Sequence, residues 1–121
     1  MLKALVVDDS RQPADSLCLM LSLIEISARA AYGPRAAILA FQEEKPDVIF
    51  LDINMPTVDG FEMMSYIRRE PGMSKVPIII VTADDSPATA AKARQRGAVD
   101  VIVKPATVEA IEKALKTAKL L

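Results

Sequence analysis

Five times along the chain, an apolar run of strand length gives way to a stretch whose apolar residues recur at helical spacing. This alternation constrains the fold more than any other feature, because repeated strand-helix units build a parallel sheet covered by helices. Strands are expected near Lys3 to Val7, Ser27 to Ala31, Asp47 to Leu51, Pro77 to Val81 and Val99 to Val103. The second, SARAA, is the weakest, being short and poor in branched residues.

The helices carry their own start and stop signals. After Ser10, residues Leu17, Met20, Leu21 and Ile24 share one helical face, and Pro13 is tolerable because it falls in the first turn. Gly33-Pro34 opens the next helix, which turns Ala37, Ile38 and Phe41 inward and stops at Lys45-Pro46. Asp59 with Glu62 reads as a capping box before Met63, Met64 and Ile67, and Pro71-Gly72 closes that helix. Ser86-Pro87 supplies an N-cap and a proline at the first helical position, with Gly97 at the far end. Thr107 caps the last helix, whose buried stripe is Val108, Ile111, Leu115 and Ala118. Glu109 with Lys113 and Glu112 with Lys116 lie on its solvent side.

Composition excludes several chemistries. With no histidine, triads built on imidazole and the common zinc sites drop out, and Cys18, the single cysteine, rules out an internal disulfide and reads as a small core residue. A net charge of -1 offers no general attraction to nucleic acid, and Lys92, Arg94 and Arg96 are expected to be a solvated helix face. No apolar run has the length of a membrane span, and MLKALVVDDS reaches acids too soon for a secretory signal, so the expected compartment is the cytoplasm. The 121 residues suit a single domain that hides roughly two-thirds of its unfolded surface.

What remains is a set of polar residues at the strand ends. The first strand ends in Asp8 and Asp9, the third in Asp52, the fourth in Thr82 and Ala83, and the fifth in Lys104 before Pro105. Parallel strands bring these groups to one carboxyl edge, where open α/β sheets bind ligands. A single acid there would ordinarily be a helix N-cap, but three carboxylates, a hydroxyl and an ammonium are poorly explained as caps. Crowded carboxylates hold a proton or recruit a cation, and a few hard oxygen ligands suit Mg²⁺, which readily shares a phosphate oxygen. An aspartate in such a site can accept a phosphoryl group as an acyl phosphate, with Lys104 and the metal offsetting charge.

VVDDS at 6–10, FLDINMPTVDG at 50–60, VTA at 81–83 and VKPA at 103–106 together resemble the receiver domain of two-component response regulators, over essentially the whole chain. The resemblance implies a flavodoxin-like, doubly wound sheet of five parallel strands in order 2-1-3-4-5 with five helices. It also implies one receiver domain over residues 1–121 with no separate output domain. Position by position, Asp52 matches the phosphoacceptor, which takes its phosphoryl group from the histidine of a sensor kinase or a histidine phosphotransfer protein. Asp9 and Asp52 match Mg²⁺ ligands, with Asp8 acting mostly through water and the backbone carbonyl of Asn54 as a further ligand. Lys104 matches the lysine that pairs with the phosphoryl group, Thr82 the switch hydroxyl, and Ala83 its small neighbour. Asn54 and Asp84 occupy positions that modulate loss of the phosphoryl group. The implied output is a changed protein contact through the fourth helix, fifth strand and fifth helix, without direct contact to nucleic acid or membrane. By the same resemblance the chain is no enzyme beyond its own phosphorylation and dephosphorylation.

One position departs from the pattern. Where the family usually has Tyr or Phe, three residues before the lysine, this chain has Val101, which cannot swing between solvent and pocket. That leaves two readings: a switch carried by the Thr82 loop alone, or a degenerate receiver acting as a constitutive interaction module. A haloacid dehalogenase-type phosphatase would place its nucleophile after the first strand in a D-x-D pattern, whereas here the acids are adjacent. A flavin-binding flavodoxin would need a hydroxyl-rich phosphate loop where this chain has DDSRQP.

Overall fold

The two apolar pentapeptides VIFLD and IIIVT are buried at every residue, as expected for strands covered on both faces. They form β3 (Val48–Asp52) and β4 (Ile78–Thr82) in a computed structural model that describes residues 1–56 and 58–121. Thr57, inside the FLDINMPTVDG motif, lies outside the described residues. With β1 (Lys3–Val7), β2 (Ser27–Ala31) and β5 (Asp100–Val103) they make one parallel sheet in the order β2-β1-β3-β4-β5. The edge strands are only partly buried, which accounts for the weak apolar signal of SARAA.

Alternate strand residues feed two core layers. Leu5, Val7, Ile49, Leu51, Ile78 and Ile80 face α2 (Pro34–Glu43), α3 (Gly60–Arg69) and α4 (Pro87–Gln95). Ala4, Val6, Val48, Phe50, Ile79 and Val81 face α1 (Arg11–Leu23) and α5 (Val108–Thr117).

The expected strand limits are right at β1 and β2, both limits shift by one residue at β3 and β4, and β5 starts one residue later but ends where expected. Asp47 is exposed before β3, its carboxylate accepting from the Lys3 backbone N–H at 2.8 Å. Asp52 is instead the last strand residue, paired in register with Val81. Pro77 and Val99 precede β4 and β5, although the Pro77 carbonyl and the Val99 N–H still bond across the sheet.

Among the helices, α1 buries Ala14, Leu17 and Leu21, while Met20 and Ile24 are only half-buried and Ile24 is the C-cap. Ser10 stands at the N-cap of α1 without a side-chain bond, whereas Ser86 and Thr107 cap α4 and α5 through their hydroxyls. The capping box at Asp59 is half formed: its carboxylate accepts from Phe61 N–H at 2.9 Å, one residue short of Glu62. In α5 the buried residues are Ile111, Ala114 and Leu115, with Val108 and Ala118 at the margin, and neither Glu109–Lys113 nor Glu112–Lys116 closes to an ion pair.

Two local features hold the β3–α3 turn and α4. Gly60 lies so close to Ile53 that a Cβ would fall 2.3 Å from the Ile53 Cα, so only glycine fits. The α4 cations are not merely solvated: Lys92 Nζ lies 4.4 Å and Arg96 Cζ 5.9 Å from the Phe61 ring centre, and Arg94 pairs with Asp100 at 3.2 Å. Cys18 is half-buried beneath the α1 side, where burial raises its thiol pKa.

Candidate functional site

Strand order decides the site. Because β1 lies beside β3, the loop that begins with Asp8 and Asp9 emerges next to Asp52. Ligand oxygens of Asp8, Asp9 and Asp52 all lie within 4.8 Å of one another. Among the described residues, the buried polar or charged ones are Asp8 (4% exposed), Asp52 (6%) and Thr82 (0%), all at this edge. Asp9 faces solvent.

Two buried carboxylates side by side need compensation. Lys104, one residue past β5, supplies it, with Nζ 3.0 Å from Asp8 Oδ2 and 3.6 Å from Asp52 Oδ2. Its own backbone N–H donates to the Thr82 carbonyl at 2.7 Å, which ties the lysine to the end of β4. Backbone N–H groups serve the other acid oxygens: Ser10 donates to Asp8 Oδ1 at 3.0 Å and Asn54 to Asp52 Oδ1 at 2.9 Å. Even so, burial raises the Asp52 pKa above its ordinary value, against the pull of the Asn54 N–H and of Lys104, with Asp8 adding to the rise. An acid that resists ionisation beside two more carboxylates is an electrostatic demand for a cation. The donor set, hard oxygens in a tight group, fits Mg²⁺.

Thr82 belongs to a second, adjoining network. Its Oγ1 accepts from Asn54 Nδ2 at 3.2 Å and from the Asp84 N–H at 3.0 Å, and among the described residues it has no hydrogen bond to Asp52 or Lys104. Ala83 follows it, exposed. The Asp84 carboxylate turns to the start of α4, accepting from Ser86 N–H at 2.8 Å and from the Thr89 hydroxyl at 2.6 Å. Those bonds, Thr89 first, hold its pKa below the ordinary carboxylate value. Val101 is half-buried and packs on the core layer under α2, α3 and α4.

The structure therefore gathers Asp8, Asp9, Asp52 and Lys104 into one cluster and sets Thr82, Asn54 and Ala83 beside it. Asp84 is committed elsewhere. Reading the sequence missed the link from Asp84 to Thr89, although the S-P-A-T spacing that marks the α4 N-cap also puts Thr89 within reach. It also missed the stacking of Lys92 and Arg96 on Phe61, which carries no local signal because the partners come from different helices. Among the described residues, no helix is long and apolar enough to cross a membrane.

Comparison with known proteins agrees with this fold. The response regulator receiver domain model matches residues 4–116. Protein PilH of Pseudomonas aeruginosa is 30% identical over 115 residues, which span 95% of each chain. The probable transcriptional regulator ycf27 of Guillardia theta is 35% identical over 114 residues, 94% of this chain but only 44% of that regulator. Of solved structures, chemotaxis protein CheY4 of Vibrio cholerae matches with a TM-score of 0.89 and 30% identity, covering 100% of this chain and 99% of the other.

Proposed function

Since the chain belongs to the response regulator receiver domain family, we propose that it is a phosphoacceptor of two-component signalling whose Asp52 takes a phosphoryl group and thereby changes a protein contact. Receiver domains of this family are signalling switches rather than enzymes acting on external substrates. The observation that carries the reading is the convergence of Asp8, Asp9 and Asp52 within 4.8 Å, with the Lys104 ammonium 3.0 Å from Asp8 and 3.6 Å from Asp52.

In the proposed reaction a carboxylate oxygen of Asp52 forms a bond to phosphorus while the bond from phosphorus to the donor histidine nitrogen breaks, its electron pair staying on the ring. Asp52 is held for this by the sheet behind it and by the Asn54 N–H. Lys104, already 3.6 Å from Asp52 Oδ2, would donate to an oxygen of the incoming group. Mg²⁺, when bound through Asp8, Asp9, Asp52 and the Asn54 backbone carbonyl, would neutralise charge on the phosphoryl group. Asn54 is well placed to affect hydrolysis because it lies on both networks, donating through its side-chain amide to Thr82. Asp84 would act on hydrolysis only after giving up Ser86 and Thr89.

The proposed signal leaves through Thr82. A hydroxyl drawn toward the phosphoryl group would release the Asp84 N–H and the Asn54 amide, loosening the entry to α4. The proposed output face is α4, β5 and α5; α4 buries only Ala93, and Val103 of β5 is 44% exposed. The proposed donor is a sensor kinase or histidine phosphotransfer protein, the proposed compartment the cytoplasm, and residues 1–121 are taken as one receiver unit.

The test is Mg²⁺-dependent labelling by acetyl phosphate with Asp52→Asn as control. Acid-stable, hydroxylamine-sensitive phosphate is expected on the wild type alone, and its absence would sink the reading. A second reading, a constitutive interaction module, is favoured by Val101, whose packed position offers no ring to move. Equal partner binding by phosphorylated and unphosphorylated protein would select it.

A further inference from the structure

The acidic site shares a wall with a cavity of about 510 Å³ that runs from Asp8, Asp52 and Lys104 to the space between α1 and the β5–α5 connection. Beyond those three residues the lining is mainly apolar. Leu17, Phe50 and Val81 are buried beneath it, and Met20 and Ala106 are half-buried at its side. Ser16, exposed at the rim, is too short to fill it. The volume falls within the range of pockets that hold small organic ligands.

A roomy apolar space that ends at a nucleophile is suited to a leaving group. We propose that this cavity selects small-molecule phosphodonors whose leaving group is a bulky apolar carboxylate, that is, aryl acyl phosphates, over acetyl phosphate. The inference rests on Asp52 being the phosphoacceptor. The phosphoryl end of such a donor meets Lys104, while its ring lies against the accessible part of the lining at Met20, Pro105 and Ala106, away from the carboxylates. An Asp52 oxygen bonds to phosphorus, the bond from phosphorus to the acyl oxygen breaks, and its electron pair departs with the arenecarboxylate. No proton or redox partner is needed. A leaving group carrying a further charge on its ring end would have to shed water against the same apolar walls, so it is disfavoured.

Labelling of Asp52 by benzoyl phosphate and by acetyl phosphate, whose leaving acids differ little in strength, tests this. Benzoyl phosphate should be about tenfold more efficient in kcat/KM, the effect of about 1.4 kcal/mol, which burial of roughly 60 Å² of ring supplies. Equal efficiencies with both donors active overturn the inference and leave Asp52 as acceptor; labelling by neither overturns the underlying reading as well. Ser16→Phe, which fills the cavity from its rim, should bring the ratio of the two efficiencies near unity. Met20→Ala, which enlarges it, should favour 2-naphthoyl over benzoyl phosphate. Wild-type ratios in both variants, with melting curves showing that they fold, overturn the inference. Binding alone gives a separate readout: phenylphosphonate should shift the amide resonances of Leu17, Met20 and Ala106 more than methylphosphonate does, and equal shifts count against the cavity.

Discussion

The two halves of the carboxyl edge are built differently. At β1, β3 and the end of β5, two buried carboxylates and a lysine are fixed by strands whose side chains fill both core layers. At the β4–α4 connection the same edge is held by hydroxyls and backbone N–H groups around an exposed carboxylate, and the helix that follows buries only Ala93. The first half resists displacement because moving a buried charge strands its partner. The second has few apolar contacts to lose, so local opening there costs little. The difference suits a device in which chemistry occurs at a rigid point and its consequence is read from a compliant one beside it.

The largest expected effect is at the rigid half. Lys104→Ala leaves Asp8 and Asp52 facing each other unpaired, and should cost about 2 kcal/mol at pH 7, discounted from the cost of a fully buried pair because the lysine side chain is 26% exposed. Adding Asp8→Asn should recover most of that loss in urea unfolding. Additive losses would mean that the lysine is not holding the acids.

Next comes the pH response of the metal-free protein. Folding raises the Asp52 pKa, mainly by burial, so the folded state binds its proton more tightly than the unfolded chain does. Ionising Asp52 therefore lowers stability: the cost is absent below the unfolded value, about 3.8, and complete above the raised folded value. Asp52→Asn should accordingly gain on the wild type as pH rises through that window. A difference that stays flat with pH would remove the electrostatic account of this half.

Thr89→Ala probes the compliant half and should cost clearly less than Lys104→Ala, because the bond it removes is exposed. Amide exchange should rise at the start of α4 while Asp52 labelling keeps its rate. The pH dependence is opposite in sign to that of Asp52, because the Asp84 pKa is lowered. The bond to Thr89 contributes above the unfolded value of about 3.8 and is lost as pH falls through the lowered one, so wild type and variant should converge in acid. An equal fall in labelling rate would show that the halves are not separable.

The smallest expected effect on chemistry is that of Val101→Tyr. The labelling rate should be unchanged, while the ratio of partner affinities with and without phosphate should widen. An unchanged ratio would mean that Thr82 and α4 suffice without a ring.

Much of this was legible in the residues because sheet position is written in burial: VIFLD and IIIVT announce central strands, and the acids, threonine and lysine stand directly after their apolar runs. The ends of β3 and β4 run one residue further than the apolar runs because a strand ends where cross-strand pairing ends and not where hydrophobicity does. Asp52, polar by type, reads as the residue just after a strand that in fact includes it. Asp84 reads from its position in the motif as part of the phosphoryl environment, and in the structure its carboxylate accepts from Ser86 and Thr89.

By itself, then, the sequence determined the fold class, the central strands and which polar groups reach the carboxyl edge, because those follow from periodicity and from residues adjacent to strand ends. Tertiary structure decided which of those groups meet. The acidic cluster depends on β1 lying beside β3, Lys104 reaches it from β5 on the far side of β4, and the cavity beside it opens between α1 and the chain after β5. Each joins residues distant along the chain, and such distances are fixed only when the sheet closes and the helices pack upon it.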